Sequence, residues 1–446
     1  MKKIIILGAG RSATACIRYL LDRSEKNDWT IIVGDIDLKQ AERKIGDHRN
    51  GKAVLFDIKD RSLRQELLGK ADCVISLLPA RMHPVIARTC LDLGKHMVTA
   101  SYVSDAMRKL HARAKKKGLI FLNEVGLDPG IDHMSAMKII DRIRSRGGRI
   151  TCFDSSTGGL IAPASDDNPW HYKFTWNPRN VILAGQGGAR FLHHGQYKFI
   201  PYHQLFKRTE LVSIPGWGDF EIYGNRDSLK YQKTYGLEDI STMFRGTIRR
   251  PGFCETWDIF VQLGMTDDSY LMADSESMTY REYTNRFMKF DPRFAVEEKL
   301  ARNMNLAPDS EIMDRLRWTG IFDDRPIGLD KASPAQVLQA LLEEKWRLKS
   351  DDRDMIVMLH RIGFELDGKE SGVVSSLVVE GENQDSTAMA RTVGLPVGIA
   401  ARLVLEEKIS SRGVLLPLEK DIYNPILDEL EEHGIRFIEE NKIFCI

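Results

Sequence analysis

The chain has almost no excess charge of either sign: 64 Lys and Arg stand against 63 Asp and Glu over 446 residues. Such a balance gives no chain-wide attraction for nucleic acid or an acidic membrane surface, so an anionic ligand must be met by arginines placed locally. Cysteine is sparse and scattered. Cys16, Cys73, Cys90, Cys152, Cys254 and Cys445 form no Cys-x-x-Cys pair and no Cys/His cluster at metal spacing. They read as buried free thiols of a reducing cytoplasm rather than disulfides or zinc ligands, and no metal is called for. Repeats, low-complexity tracts and obvious flexible linkers are missing. No apolar run reaches the length of a membrane span, and the apolar stretch after the N-terminal lysines stops after about five residues at a glycine turn, so export is not expected.

What is there is a large apolar fraction, 43%, enough to bury two or three domain cores. Residues 3–16 read KIIILGAGRSATAC, an apolar strand that breaks on Gly8, turns through Gly10 and runs into small residues that start a helix. Gly8 permits the tight turn, Gly10 lets backbone N–H groups approach a pyrophosphate, and Ala13 allows close helix-to-strand packing. A second strand, TIIVGD, ends in Asp35, 25 residues beyond Gly10, where a carboxylate can accept from both hydroxyls of an adenosine ribose. Strand-like and helix-like segments then alternate: KAVLFDI, a helix near 61–69, DCVISLLP, a helix near 83–94, KHMVTASY, a helix near 104–117, and LIFLNEVG. Alternation with short turns predicts a parallel sheet, so residues 1–130 form a Rossmann domain with ligands at the strand C-termini.

From 131 to 275 the texture changes to short β-like runs (RITCFDSS, NVILAG, FIPYH, ELVSI, FEIYG, GTIRR) between turns rich in Gly, Pro and Asn. Together with 351–386, where DMIVMLHRIGFEL and SGVVSSLVVEG read as antiparallel strands, they predict a second, mixed-sheet α/β domain for substrate and dimerisation. Residues 276–350 carry helical periodicity and predict an α-helical cap or insertion. The segment 387–408 reads as a long helix interrupted near Leu395 by Pro396, and 387–446 is expected to pack back on the first domain.

Three segments end the first sheet: SLLPA at 76–80, TASYVS at 99–104 and NEVGLDPGID at 123–132. The last begins the crossing into the second domain, which puts Asp128 near the expected cleft and makes 126–134 a hinge that should move on ligand binding. On residue type alone two readings of each stay open. Asp128 is an acid/base group or a turn aspartate before Pro-Gly, and Tyr102 is a site hydroxyl or a packing tyrosine. His133 is an acid/base group or a helix-start residue. His193 and His194 beside a glycine turn read as loop residues.

The ordered motifs TASYVSDAM, NEVGLDPGIDHMSAMK, GGLIAPASDDNPWHYKFTW, NRDSLKY and RGTIRRPGF, with the later GLPVGIAARLVLEEKI, resemble the saccharopine dehydrogenases of the L-glutamate-forming type. The resemblance implies an NAD(P)-dependent oxidoreductase acting on CH–NH groups. Glutamate and 2-aminoadipate 6-semialdehyde condense to an imine, and a nicotinamide hydride reduces it to saccharopine, the reverse direction serving lysine breakdown. A tricarboxylate needs guanidinium forks, and the resemblance implies Arg226 and Arg249, which residue type alone leaves as surface ion pairs. It further implies substrate contacts from Ser101, Tyr102 and Thr247, proton handling by Asp128 with Tyr102 in support, and a cytoplasmic homodimer.

For the cofactor it implies Gly8, Gly10, Arg11, Ser12 and Ala13 at the pyrophosphate, Asp35 at the ribose and Asp57 and Ile58 near adenine. Leu77 and Leu78 would line the fourth-strand edge, Thr99, Leu127 and Asp128 would face nicotinamide, and Trp176 with Lys173 would close over it. NADP-using fungal relatives present an arginine after the second strand, whereas this chain presents Asp35 and Asp37. Like charges at about 4 Å cost roughly 1 to 4 kcal/mol, so NAD is preferred over NADP, with Arg11 and Lys39 offsetting part of the difference. The chain also departs from the family: where Ser-Tyr-Cys often precedes Gly-Gly-Leu, it has Ser155, Ser156 and Thr157. Two alternatives remain, a carboxyspermidine-type imine-reducing dehydrogenase and a non-catalytic dinucleotide sensor.

Overall fold

Ile4, Ile5 and Ile6 are wholly buried in β1 (Lys2–Leu7), the centre of a parallel sheet. Around it stand β2 (Trp29–Asp35), β3 (Gly51–Leu55), β4 (Cys73–Ser76), β5 (His96–Val98) and β6 (Ile120–Leu122). A late strand, Gly413–Leu415, joins beyond β6, giving the order Gly413–Leu415, β6, β5, β4, β1, β2, β3 with every pairing parallel. Chain order reverses between β1 and β4, and ligands of such sheets bind outside the strand C-termini at that reversal.

The computed structural model describes residues 1–442. They divide into two units, Met1–Arg149 with Leu366–Lys369 and Leu377–Ile438, and Ile150–Glu365 with Glu370–Ser376 and the chain from Glu439 onward. The first unit runs past residue 130 because the helix Ile131–Ser145 packs against Lys420–Glu432, where the Tyr423 hydroxyl donates to Asp141 at 2.8 Å. The predicted helix over 104–117 is two short ones, Asp105–Arg108 capped by Ser104, and His111–Lys116.

The break expected at Pro396 does not occur. Ala388–Leu405 is one helix, nearly all of it buried. A Cβ on Gly394 would sit 2.8 Å from both the Ser12 carbonyl oxygen and the Cys16 nitrogen, so this helix and Ala13–Asn27 touch backbone to backbone. That packing outweighs the roughly 3 kcal/mol an internal proline costs. The same helix corrects the expectation that no segment reaches membrane-span length. It is long and apolar enough to cross a bilayer, but most of it is buried inside the protein.

The second unit is built on a mixed sheet of β7 (Arg149–Ile161), β8 (Ala189–His193), β9 (Gln196–Ile200), β10 (Thr209–Ile214), β11 (Gly218–Gly224), β12 (Thr242–Arg249), β13 (Asp354–Leu366) and β14 (Lys369–Glu380). Its main path is β10, β11, β12, β7, β13, β14 and then Ile438–Asn441, with β8 and β9 branching from β12. The β10, β11 and β12 pairs are antiparallel, and β12 runs parallel to β7.

Two predicted strands fail locally. NVILAG starts inside the helix Pro178–Ile182 and leaves it in turns, because the Asn177 side chain caps the Arg179 N–H and Pro178 takes the first helical position. FIPYH ends its strand at Ile200, and Pro201 starts the short helix Tyr202–Leu205. His193 ends β8 rather than lying in a loop, and His194 takes the turn at φ 46°. The helices Tyr280–Arg286, Val296–Asn303, Glu311–Thr319 and Pro334–Lys345 belong to the same unit as the sheet. An aromatic cluster fills its core, with Trp170 centred 5.8 Å from Phe260 and 5.2 Å from Trp346. Cys16, Cys73, Cys90, Cys152 and Cys254 are buried free thiols, and Cys445 lies outside the described residues.

Candidate functional site

At the mouth of the first sheet Gly8 has φ +101°, and a Cβ there would stand 2.9 Å from the Leu77 carbonyl oxygen, so the turn after β1 admits only glycine. Gly10 faces open space on its Cβ side. Ser12 precedes the helix Ala13–Asn27 without capping it through its side chain, and no acidic residue occupies that helix's first turn. Open backbone N–H groups, an uncommitted hydroxyl and a 15-residue helix dipole suit a pyrophosphate. Arg11 is exposed beside them and Ala13 is wholly buried.

Asp35 closes β2. Its Oδ2 accepts from the Ala9 N–H at 2.6 Å and its Oδ1 from the Asp37 N–H at 2.9 Å, which fixes the carboxylate next to the phosphate turn. Beyond β3, Asp57 and Ile58 are half-buried, and Asp57 Oδ1 accepts from the Lys59 N–H at 2.9 Å. Leu77 and Leu78 follow β4, also half-buried. Thr99 follows β5 and is buried, as is Leu127.

The segment after β6 folds back on itself. Gly130 (φ +150°) lies so close to the Gly126 backbone that a Cβ would overlap it, and Asp128–Pro129 is a cis peptide. Asp132 Oδ1 accepts from the Gly130 N–H at 2.6 Å. This places Asp128, half-buried, under Tyr102, whose hydroxyl donates to Asp128 Oδ1 at 2.9 Å. His133 is fully buried and bonded to Glu124 at 2.8 Å, while Glu124 also accepts from the Val103 N–H at 2.9 Å. That pair ties the SYV segment to the Asp128 turn. Asp128 and Tyr102 are therefore brought together, whereas His133 is locked into the scaffold.

In the second unit one face of β7, β11 and β12 is polar. Thr247 pairs across to Tyr223 and along to Thr157, and Arg249 stands opposite Glu221. Arg249 is 4% exposed and its guanidinium lies 5.1 Å from the Tyr172 ring, 5.2 Å from Phe253 and 5.9 Å from Tyr223. Its Nη1 donates to the Ile248 carbonyl at 2.9 Å, and its Nε has no partner. No carboxylate among the described residues is within ion-pairing reach of it; Glu221 opposite acts on it only through space and accepts from the Cys254 N–H at 2.7 Å. Burial pushes the Tyr223 phenol up, while Arg249, a hydrogen bond from Thr247 and Arg226 pull the other way. Arg226 is exposed with φ 52°. Thr157, in the departing Ser-Ser-Thr triplet, has a buried hydroxyl without a partner among the described residues.

Lys173 differs from expectation. It is buried, and its ammonium bonds Asp167 and Asp352 at 2.8 Å each. Trp176 belongs to the second unit and is 37% exposed. Sequence reasoning missed His83, which sits buried at the first-sheet edge and bonds Ser101 at 2.8 Å. The signal available was its place at a helix start directly after the β4 turn.

Residues 4–122 match the family model of the saccharopine dehydrogenase NADP binding domain, and 126–435 that of the saccharopine dehydrogenase C-terminal domain. The chain is 34% identical over 450 residues to "Saccharopine dehydrogenase [NADP(+), L-glutamate-forming]" of Schizosaccharomyces pombe, covering 99% of both chains. It is 34% identical to "Alpha-aminoadipic semialdehyde synthase" of Arabidopsis thaliana, covering 98% of this chain and 44% of that longer protein. The solved apo saccharopine dehydrogenase (L-Glu forming) of Saccharomyces cerevisiae superposes with a TM-score of 0.90 at 32% identity, covering 99% of this chain and 100% of that one. With its two halves matched in order and its fold reproduced end to end, this chain belongs to the saccharopine dehydrogenase family.

Proposed function

We propose that this protein interconverts saccharopine with glutamate and 2-aminoadipate 6-semialdehyde, with NAD as the preferred dinucleotide. One observation carries the substrate reading: among the described residues, Arg249 is a buried cation with an unpartnered Nε and no carboxylate in ion-pairing reach. Glu221 opposite acts on this guanidinium only through space, without a direct ion pair, and an amino-acid carboxylate would supply the charge-assisted fork it lacks. Thr247 and the Thr157 hydroxyl, unpartnered among the described residues, add donors on the same face, and exposed Arg226, after the end of β11, acts on the Tyr223 phenol beside Thr247. Saccharopine has three carboxylates to receive them.

A dinucleotide bound at the Gly8–Ala13 turn would give or take the hydride. Ser12 and the first-turn N–H groups hold its phosphates, and Asp35 accepts from its ribose. Ser101 and Tyr102 bind substrate. Asp128, held by the Tyr102 hydroxyl, handles the secondary-amine proton or orients water as the imine is made or hydrolysed. The NAD preference is supported by the fixed Asp35 carboxylate, with Asp37 two residues on, although curated relatives are named for NADP(+). Saccharopine-dependent reduction of NAD and of NADP, measured for the wild type and for Arg249→Met, tests both parts. Activity with a diamine in place of glutamate, or tight NAD binding without turnover, would overturn the substrate reading.

A further inference from the structure

Ser76, His83, Thr99 and Ser101 meet at the C-terminal edge of the first sheet. Ser76 ends β4, His83 opens the helix His83–Leu93, and Thr99 and Ser101 follow β5. The imidazole Nδ1 lies 2.9 Å from Ser76 Oγ, while Nε2 lies 2.8 Å from Ser101 Oγ and 3.3 Å from Thr99 Oγ1. Ser76, His83 and Thr99 are buried and Ser101 is half-buried, so the chain of bonds begins in the interior and ends where a ligand can reach it.

We infer that His83 is a positioning residue that orients the Ser101 hydroxyl toward the substrate, which rests on the saccharopine reading of Ser101. A ring buried this deeply could be replaced by an aliphatic side chain if it only filled space, yet both of its nitrogens are engaged by hydroxyls aimed along the sheet edge. Burial pushes the imidazole down to about 4, so at neutral pH one nitrogen donates and the other accepts. When Ser76 donates to Nδ1, the Nε2–H is given to Ser101 Oγ, and the Ser101 hydrogen is left to be given to a carboxylate oxygen. In the other tautomer Ser101 donates to Nε2 and offers the ligand only lone pairs. The ring therefore sets which way round Ser101 meets its ligand.

The test is a double-mutant cycle on His83→Leu and Ser101→Ala, read as KM for saccharopine, kcat, and dinucleotide affinity from NADH fluorescence. His83→Leu is expected to raise KM about tenfold with a clearly smaller loss of dinucleotide affinity, because the ring holds Ser101 at 2.8 Å and the cofactor-side Thr99 only at 3.3 Å. His83→Gln, whose amide still reaches Ser101, should recover most of the loss. The double variant should be no worse than Ser101→Ala, since the two residues act as one unit. Additive losses, or equal losses for saccharopine and dinucleotide, would overturn the inference. Should His83→Leu fail to fold, Ser76→Ala carries the test: it frees Nδ1 and should raise KM at an unchanged melting temperature, and an unchanged KM overturns the proposal. Turnover of a different amine with the His83–Ser101 coupling intact would sink the saccharopine reading and leave the positioning role standing. A wild type that binds no amino acid in calorimetry would sink both.

Discussion

The Tyr102 hydroxyl donates to Asp128 Oδ1 at 2.9 Å, joining the segment after β5 to the turn after β6. A carboxylate held by a phenol on a turn fixed by Gly130 is presented in one orientation. Asp128→Ala should lower kcat by about a hundredfold to ten-thousandfold, the usual worth of a positioned acid/base group, with a much smaller loss of dinucleotide affinity from its place beside nicotinamide. Tyr102→Phe should cost less, roughly tenfold, because the carboxylate remains. Steady-state rates with NADH titrations check both. A full-rate Asp128→Ala enzyme would remove Asp128 from the chemistry.

Arg249→Met should separate stability from function. Replacing a buried cation by an apolar side chain of similar reach is often neutral or stabilising, so the melting temperature should hold or rise. Losing its fork to a carboxylate should cost at least about 2 kcal/mol, about a thirtyfold rise in KM for saccharopine. Arg226→Ala, at an exposed position, should change stability by less than about 0.5 kcal/mol and still raise KM.

Asp35 should set dinucleotide choice. Asp35→Ser removes a charge expected to repel a 2′-phosphate by roughly 1 to 4 kcal/mol. The ratio of kcat/KM for NADP over NAD should therefore rise by roughly fivefold to a thousandfold. A wild type that already favours NADP would show that Arg11 and Lys39 dominate the field at the ribose.

His83 predicts a stability limb in mild acid. Its folded value of about 4 lies below the 6.5 of the free side chain, so between these values the unfolded chain binds more protons. Stability then rises with pH across that window: the contribution is fully present above about 6.5 and is lost as pH falls toward 4, amounting to roughly 3 kcal/mol. Denaturant melts at pH 7, 6, 5 and 4.5 should show wild type falling more steeply than His83→Gln. Parallel curves would mean that the ring is solvated in the native state.

The nucleotide unit was legible because its signals are local. The alternation of β1 to β6 with helices, Gly8 before Gly10 and Asp35 at the end of a strand are all written in contiguous residues. The Asp128 turn was legible only as a pair of alternatives, since the hydroxyl that holds its carboxylate, Tyr102, lies 26 residues earlier. The ion pairs of Lys173 were only half legible: Asp167 lies six residues before it, but Asp352 is 179 residues away. NVILAG has strand composition, but Asn177 and Pro178 set a helix start that overrode it. Arg249 was readable as a motif arginine. That it is buried without a direct ion pair, although Glu221 stands opposite and accepts from the Cys254 amide, is a fact of packing alone.

The Gly413–Leu415 strand hydrogen-bonds along β6 by three register pairs, Gly413 with Ile120, Val414 with Phe121 and Leu415 with Leu122. During synthesis the ribosome thus delivers more than four hundred residues before the flank of β6 is sheathed. Until then an apolar ribbon stands bare and open to pairing with a neighbouring nascent chain, the hazard that unpaired edges carry. A stop codon shortly before position 413 would therefore yield aggregates rather than a shortened working protein, even though every dinucleotide contact named above would already have been made.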